Sequence, residues 1–223
     1  MTAAYDRDVI ADLLPLALGI AASPFPVIPV ILLLLTPRAT ANAGAFLGGW
    51  LTGILAATAA FVLLEAVVEK FDEPPTWLAW VRIALGAALL VLGVRQWLTR
   101  KEERPAPAWM QSLASATPRS AARLAVLLSL ANPKILLFCT AAGMTIGVAT
   151  AAPAGAVLAV VLFALAGSVT VALPLVAHLA LGERATAPLQ RANTWLTDNN
   201  AAVMAVVLLA VGVLVLTKGI GGL

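Results

Sequence analysis

The chain has 223 residues, 61% of them hydrophobic and only 11% charged. A soluble domain of this length carries roughly twice that charged fraction, and no stretch is polar and long enough to make a second, soluble domain. The formal charge of +3 does not point to nucleic acid, because the basic residues stand at the ends of apolar runs, where they set membrane topology.

In chain order, the first apolar segment runs from about Val9 to Leu35 and is closed by Thr36-Pro37-Arg38. The residues before it carry Asp6, Arg7 and Asp8 rather than a basic leader, so this run is expected to stay as a membrane helix. The second segment spans about Asn42 to Val68, followed by an acidic patch at Asp72 and Glu73 and by Pro74-Pro75. A third covers about Thr76 to Leu98. The extended polar stretch of about 99–121 comes next, with Pro105, Pro107 and Pro118. Within it Trp109, Met110 and Leu113 have helical spacing and could lie on the membrane surface; a disordered linker is the plainer alternative. The second half repeats the plan, with segments at about Ala122 to Ala149, Pro153 to Leu181 and Asn200 to Thr217. Unpaired backbone groups in lipid cost several kcal/mol each, so all six are expected to be helices, and the lack of period-two alternation argues against a β-barrel.

With the first, third and fifth connections placed in the cytoplasm, nine basic residues face inward and four outward. That bias predicts a multi-pass protein of the cytoplasmic membrane with both termini outside.

Two segments are interrupted. The first contains Ser23-Pro24-Phe25-Pro26-Val27-Ile28-Pro29, whose three prolines remove backbone donors and clash with the preceding turn. The fourth contains Asn132-Pro133-Lys134. Both breaks lie about ten residues from the predicted cytoplasmic end, a depth of roughly 15 Å in a straight helix, near the midplane. Matching breaks in the first and fourth of six segments predict an inverted repeat meeting at a central site. The expected fold is thus all-α integral membrane, one domain over 1–223 with repeat one at about 9–98 and repeat two at about 122–217.

Lys134 stands out, since a lysine inside an apolar helix costs a few kcal/mol unless it faces a polar cavity, a partner or the interface. Snorkelling or a structural pair is the bland reading. The functional one is a cationic contact for an anionic group, helped by Asn132 and by backbone groups around Pro133. Ser23, Pro24 and Pro26 would line the same site from the other break. Asp12, Glu65, Arg82 and Arg38 are secondary polar candidates, and a structural ion pair between Glu65 and Arg82 is the default for those two. Gly44, Gly48, Gly49 and Gly53 form a small-residue face suited to close helix packing.

One histidine (His178) and one cysteine (Cys139) are too few for a dedicated soft-metal site. No nucleophile with its base and no phosphate-binding glycine loop is present, so neither an enzyme nor a bound cofactor is expected. Without a nucleotide motif, any coupling comes from an ion or substrate gradient.

The stretch from Leu16 to Leu32 (LALGIAASPFPVIPVIL), the run LTPRATAN from Leu35, and AFLGGW from Ala45 resemble the GAP family. These are glycolipid- and sulfolipid-addressing proteins of the LysE-like transporter superfamily. The run ANPKILL from Ala131, continuing to Ala141-Ala-Gly-Met, is similar to that family's fourth helix. The resemblance implies six helices in two inverted triplets and a role in moving envelope lipids or glycolipids across the cytoplasmic membrane. It places Ser23, Pro24 and Pro26 at the helix-one break and Asn132, Pro133 and Lys134 at the helix-four break. Electron-carrying relatives use a cysteine in each break, which this chain lacks.

The leading expectation is a transporter of a lipid-linked anionic substrate. A small-metabolite exporter with a carboxylate at the same site is the first alternative. A non-transporting scaffold for envelope-lipid assembly, docking through 99–121, is the second. Expected partners are membrane lipids or a glycolipid, a second copy of the chain, and envelope-lipid export machinery, but no nucleic acid.

Overall fold

The computed structural model describes residues 2–23, 25–68, 77–99, 113–149 and 153–221. Among these it is helical throughout, with no strand. Helix α1 (Thr2–Ala21) stops just before the prolines that lack amide donors, and α2 (Val27–Leu34) restarts directly after Pro26. Pro29 is tolerated in the first turn of α2, where its missing N–H has no partner to lose. Helix α3 (Ala39–Val68) follows, then α4 (Trp77–Leu98). After a 3-10 turn at Leu113–Ser115 come α5 (Pro118–Leu130) and α6 (Pro133–Ala149). Helix α7 (Pro153–Leu181) leads through Gly182–Ala185 into α8 (Thr186–Ile220).

Both starts in the second broken segment are written locally. Thr117 caps α5 in a reciprocal capping box with Ser120, and Pro118 takes the first helical position. Asn132 accepts the Lys134 amide at 3.0 Å through Oδ1, and Pro133 opens α6. The Asn-Pro pair is therefore a helix start as well as a break.

Among the described residues three helices are long and apolar enough to cross a membrane: Ala39–Glu65, Ala79–Leu98 and Pro153–Leu181. The pair α5–α6, bent by 69°, makes a fourth span when counted together. Shorter apolar runs occupy Ala11–Ala21 and Met204–Thr217. The chain is a multi-pass membrane protein of helical type.

Helix α3 packs along α5 and α6, and α7 packs against α1, α2 and α3. Helix α4 lies along α8, and α1 crosses α6. The contacts are close because small residues face the partner. A Cβ at Gly143 would stand 2.5 Å from Phe61 Cβ, and one at Gly147 would stand 2.6 Å from Glu65 Cβ, which ties α6 to α3. Gly86, Gly93 and Gly212 do the same between α4 and α8. Of the predicted glycine face on α3, Gly49 and Gly53 meet α5, whereas Gly44 and Gly48 have nothing within 4 Å of a Cβ.

The loop before α5 is tied to the helices. Leu113 is buried in the core cluster, and Asn42 donates to the Ala116 carbonyl (3.1 Å) and to Thr36 Oγ1 (3.0 Å). Leu113 thus packs inward rather than lying on a membrane surface, because Asn42 fixes the backbone beside it. Trp109 and Met110 lie outside the described residues.

Candidate functional site

The two breaks come together. A cavity of about 630 Å³ is lined by Phe25 from the first break and by Asn132, Pro133 and Lys134 from the second. The last turns of α4 add Leu92, Arg95, Gln96 and Thr99. Leu128 of α5 and Leu208 of α8 supply further apolar wall. Among the described residues no acidic side chain lines it, so two cations, Lys134 and Arg95, set its sign. The lining mixes apolar side chains with amide, hydroxyl and cationic groups, a composition that accepts an anionic group attached to an apolar body.

The remaining predicted residues sit around this cavity or away from it. Ser23 is 1% exposed and does not line the cavity, and its Oγ has no hydrogen-bond partner among the described residues. An orphaned buried hydroxyl costs about 1–3 kcal/mol. Pro26 is buried beneath Phe25's break without reaching the cavity wall, and Pro24 lies outside the described residues. Arg38 is exposed ahead of α3, in neither cavity described here. Asp12 lines a second cavity of about 210 Å³ on α1. Glu65 is buried on α3 beside Gly147. The Arg82 side chain, and with it the expected Glu65–Arg82 pair, lies outside the described residues.

The expected midplane depth assumed a straight fourth segment. With α5 bent 69° from α6, the 13 residues of α5 rise only about 7 Å along α6's axis rather than about 20 Å. The cavity lies beside the last turns of α4.

Sequence reasoning missed Arg95, Gln96 and Thr99, which read as the basic end of a span. The signal was present as an Arg-Gln pair inside the last turns of an apolar helix, one residue short of Trp97. Their meeting with Lys134 depends on the α4–α8 and α5–α6 packing, which one segment does not reveal.

The backbone at the first break is held from α7. Thr170 Oγ1 donates to the Ala21 carbonyl at 2.6 Å, satisfying an acceptor that the end of α1 leaves open. Gly167 of α7 faces Ile20, with a Cβ there 3.3 Å from Ile20 Cβ. Position and orientation of the break are thus set by α7, and those of the second break by its own cap.

No curated protein and no solved structure matches the chain. Residues 13–221 match the family model described as Sap, sulfolipid-1-addressing protein. The chain belongs to the family of Sap, the sulfolipid-1-addressing proteins.

Proposed function

We propose that this protein moves an anionic lipid or glycolipid across the cytoplasmic membrane, binding its headgroup in the cavity between the two breaks. The observation that carries the proposal is the meeting of Lys134 and Arg95 against a wall of Phe25, Leu92, Leu128 and Leu208. The family description names a sulfolipid, and a sulfate or phosphate group fits two convergent cations. The protein acts as a transporter without covalent chemistry of its own.

Six spans in two inverted triplets is the architecture proposed with it, with both termini outside. Exchanging α1–α2, α3 and α4 for α5–α6, α7 and α8 turns the packing of α3 on α5 and α6 into that of α7 on α1 and α2. The same exchange leaves α4 against α8 unchanged. These correspondences support an inverted repeat, although the packing of α1 on α6 has no comparable counterpart between α5 and α2. The likeness to LysE-type transporters belongs to the same proposal.

The test is reconstitution into vesicles carrying a labelled sulfated or phosphorylated lipid, with its appearance in the other leaflet as the readout. Lys134→Met is expected to remove headgroup translocation while the protein stays folded. Translocation at the wild-type rate by that variant would overturn the reading. Efflux of labelled amino acids with no lipid movement would instead support the small-metabolite exporter.

A further inference from the structure

The second cavity, of about 210 Å³, shares helices α4, α6 and α8 with the first. Its relation to the first can be read along four stripes. On α6, Lys134 lines the first cavity, Phe138 is fully buried, and Ala141, Thr145 and Val148 line the second. Those positions fall on one helix face. On α4 the face reads Gln96 and Leu92 in the first cavity, Leu89 fully buried, and Leu85 in the second. On α8, Leu208 lines the first cavity while Val211, Leu214 and Val215 line the second. From the first broken segment, Phe25 belongs to the first cavity, while Asp12, Pro15 and Leu16 belong to the second.

On α6 and α4 the stripe therefore runs from one cavity, through a packed residue, to the other, and on α8 the two linings follow one another within a turn. The packed layer is thin. Seven residues separate Lys134 from Ala141 and Leu92 from Leu85, which is about 10 Å on either helix. At its centre the Phe138 ring lies against α1 at Gly19, where a Cβ would be 2.6 Å from Cζ and 2.7 Å from Cε1. Only a glycine lets α1 come this close to the ring.

We infer that the two cavities are the two ends of a single transmembrane path, and that Phe138, seated on Gly19 with Leu89 at the same level, is its closed gate. The second cavity is then the release side for the headgroup that Lys134 and Arg95 receive. Its wall carries the Asp12 carboxylate and no basic residue among those described. An anion that has passed the gate leaves two cations behind and meets a wall with no basic residue among those described, which favours release. The inference rests on the transport reading only for the identity of what passes; the gate is tested without lipid.

Cys139 is the single cysteine, so replacing it with Ala gives a background for thiol probing. Gln96→Cys reports the first cavity and Thr145→Cys the second. Each variant is reacted with a membrane-impermeant maleimide in right-side-out and in inverted vesicles. Gln96→Cys is expected to react from one face and Thr145→Cys from the opposite face. Reaction from the wrong face should be about ten- to a thousandfold slower, since an open minor state is populated at about 0.1–10%. Adding Phe138→Ala should let both positions react from both faces, and Leu89→Ala should do the same from α4 if the first variant does not fold. Reaction of Gln96→Cys and Thr145→Cys from the same face would overturn the inference. So would strictly one-sided reaction in a folded Phe138→Ala or Leu89→Ala protein. Opposite-face reaction opened by these variants, with no lipid movement in the wild type, keeps the gate and rejects the lipid substrate.

Discussion

Gly48 and Gly49 are neighbours in sequence, yet substitution by Ala should move stability in opposite directions. A Cβ at Gly49 would press on the Ala122 carbonyl oxygen and lie 2.9 Å from its carbonyl carbon and 3.0 Å from its Cα. All three are backbone atoms of α5, so no rotamer change relieves the contact. Restoring ordinary van der Waals separation of at least 3.4 Å from the carbonyl oxygen needs a retreat of about 1 Å between α3 and α5, enough to forfeit about half of the dispersion energy of the contacts it opens. Overpacking of this kind costs about 1–3 kcal/mol, and for a chain of this length each kcal/mol moves the melting temperature by about 2–4 °C. At Gly48 nothing lies within 4 Å of a Cβ, so Gly48→Ala meets no clash and gains up to about 1 kcal/mol of helix preference. Thermal unfolding of both variants in the same detergent, followed by size-exclusion recovery, should show Gly49→Ala below wild type and Gly48→Ala at or above it. Equal melting temperatures for the two would refute the packing argument for α3 and α5.

Three further outcomes are expected. Thr170→Val removes the donor that satisfies the Ala21 carbonyl and should cost about 1 kcal/mol, typical of an interhelical hydrogen bond in a membrane, read as a lower melting temperature. Asn132→Ala should cost about 1 kcal/mol through loss of the α6 cap, with Asn132→Ser restoring most of it in the same melt. Arg95→Gln should weaken binding of a sulfated or phosphorylated lipid by roughly thirtyfold, taking about 2 kcal/mol for one charge-assisted contact, as measured by lipid titration with the melting temperature unchanged.

The helical class, the extent of most segments and both breaks were legible because hydropathy and proline act locally. Proline removes a donor wherever it stands, so Pro24, Pro26 and Pro133 announced the end of regular helix without any tertiary information. Packing was legible only as potential. Gly44, Gly48, Gly49 and Gly53 share the same residue type, but only Gly49 and Gly53 meet α5, because the bend in the fourth segment decides where α5 runs. The cavity also takes in Arg95 and Gln96 from the last turns of α4, which no single segment announces. At the first break the turn buries Ser23 and Phe25 lines the cavity, a choice between neighbours that depends on the turn and not on residue type.

The source of the positive field at the site can also be narrowed. A helix N-terminus binds anions through its open amides, and the start of α6 seemed to offer several. Pro133 has no amide, the Lys134 amide donates to Asn132 Oδ1, and the Leu136 amide donates to the Asn132 carbonyl at 3.0 Å. Little of the first turn is left to bind an anion, so the attraction must come from the Lys134 and Arg95 side chains. Lys134 itself sits at the positive end of α6, a placement that costs about 0.3–1 kcal/mol and that a bound anion offsets. Anionic lipid should therefore stabilise the wild type: at a hundred times its dissociation constant the gain is about 2.7 kcal/mol, visible as a rise in melting temperature over a zwitterionic lipid of the same chains. Lys134→Arg should keep most of that rise and Lys134→Met should lose it. Retention of the full rise by Lys134→Met would mean that the backbone, not the side chain, holds the headgroup.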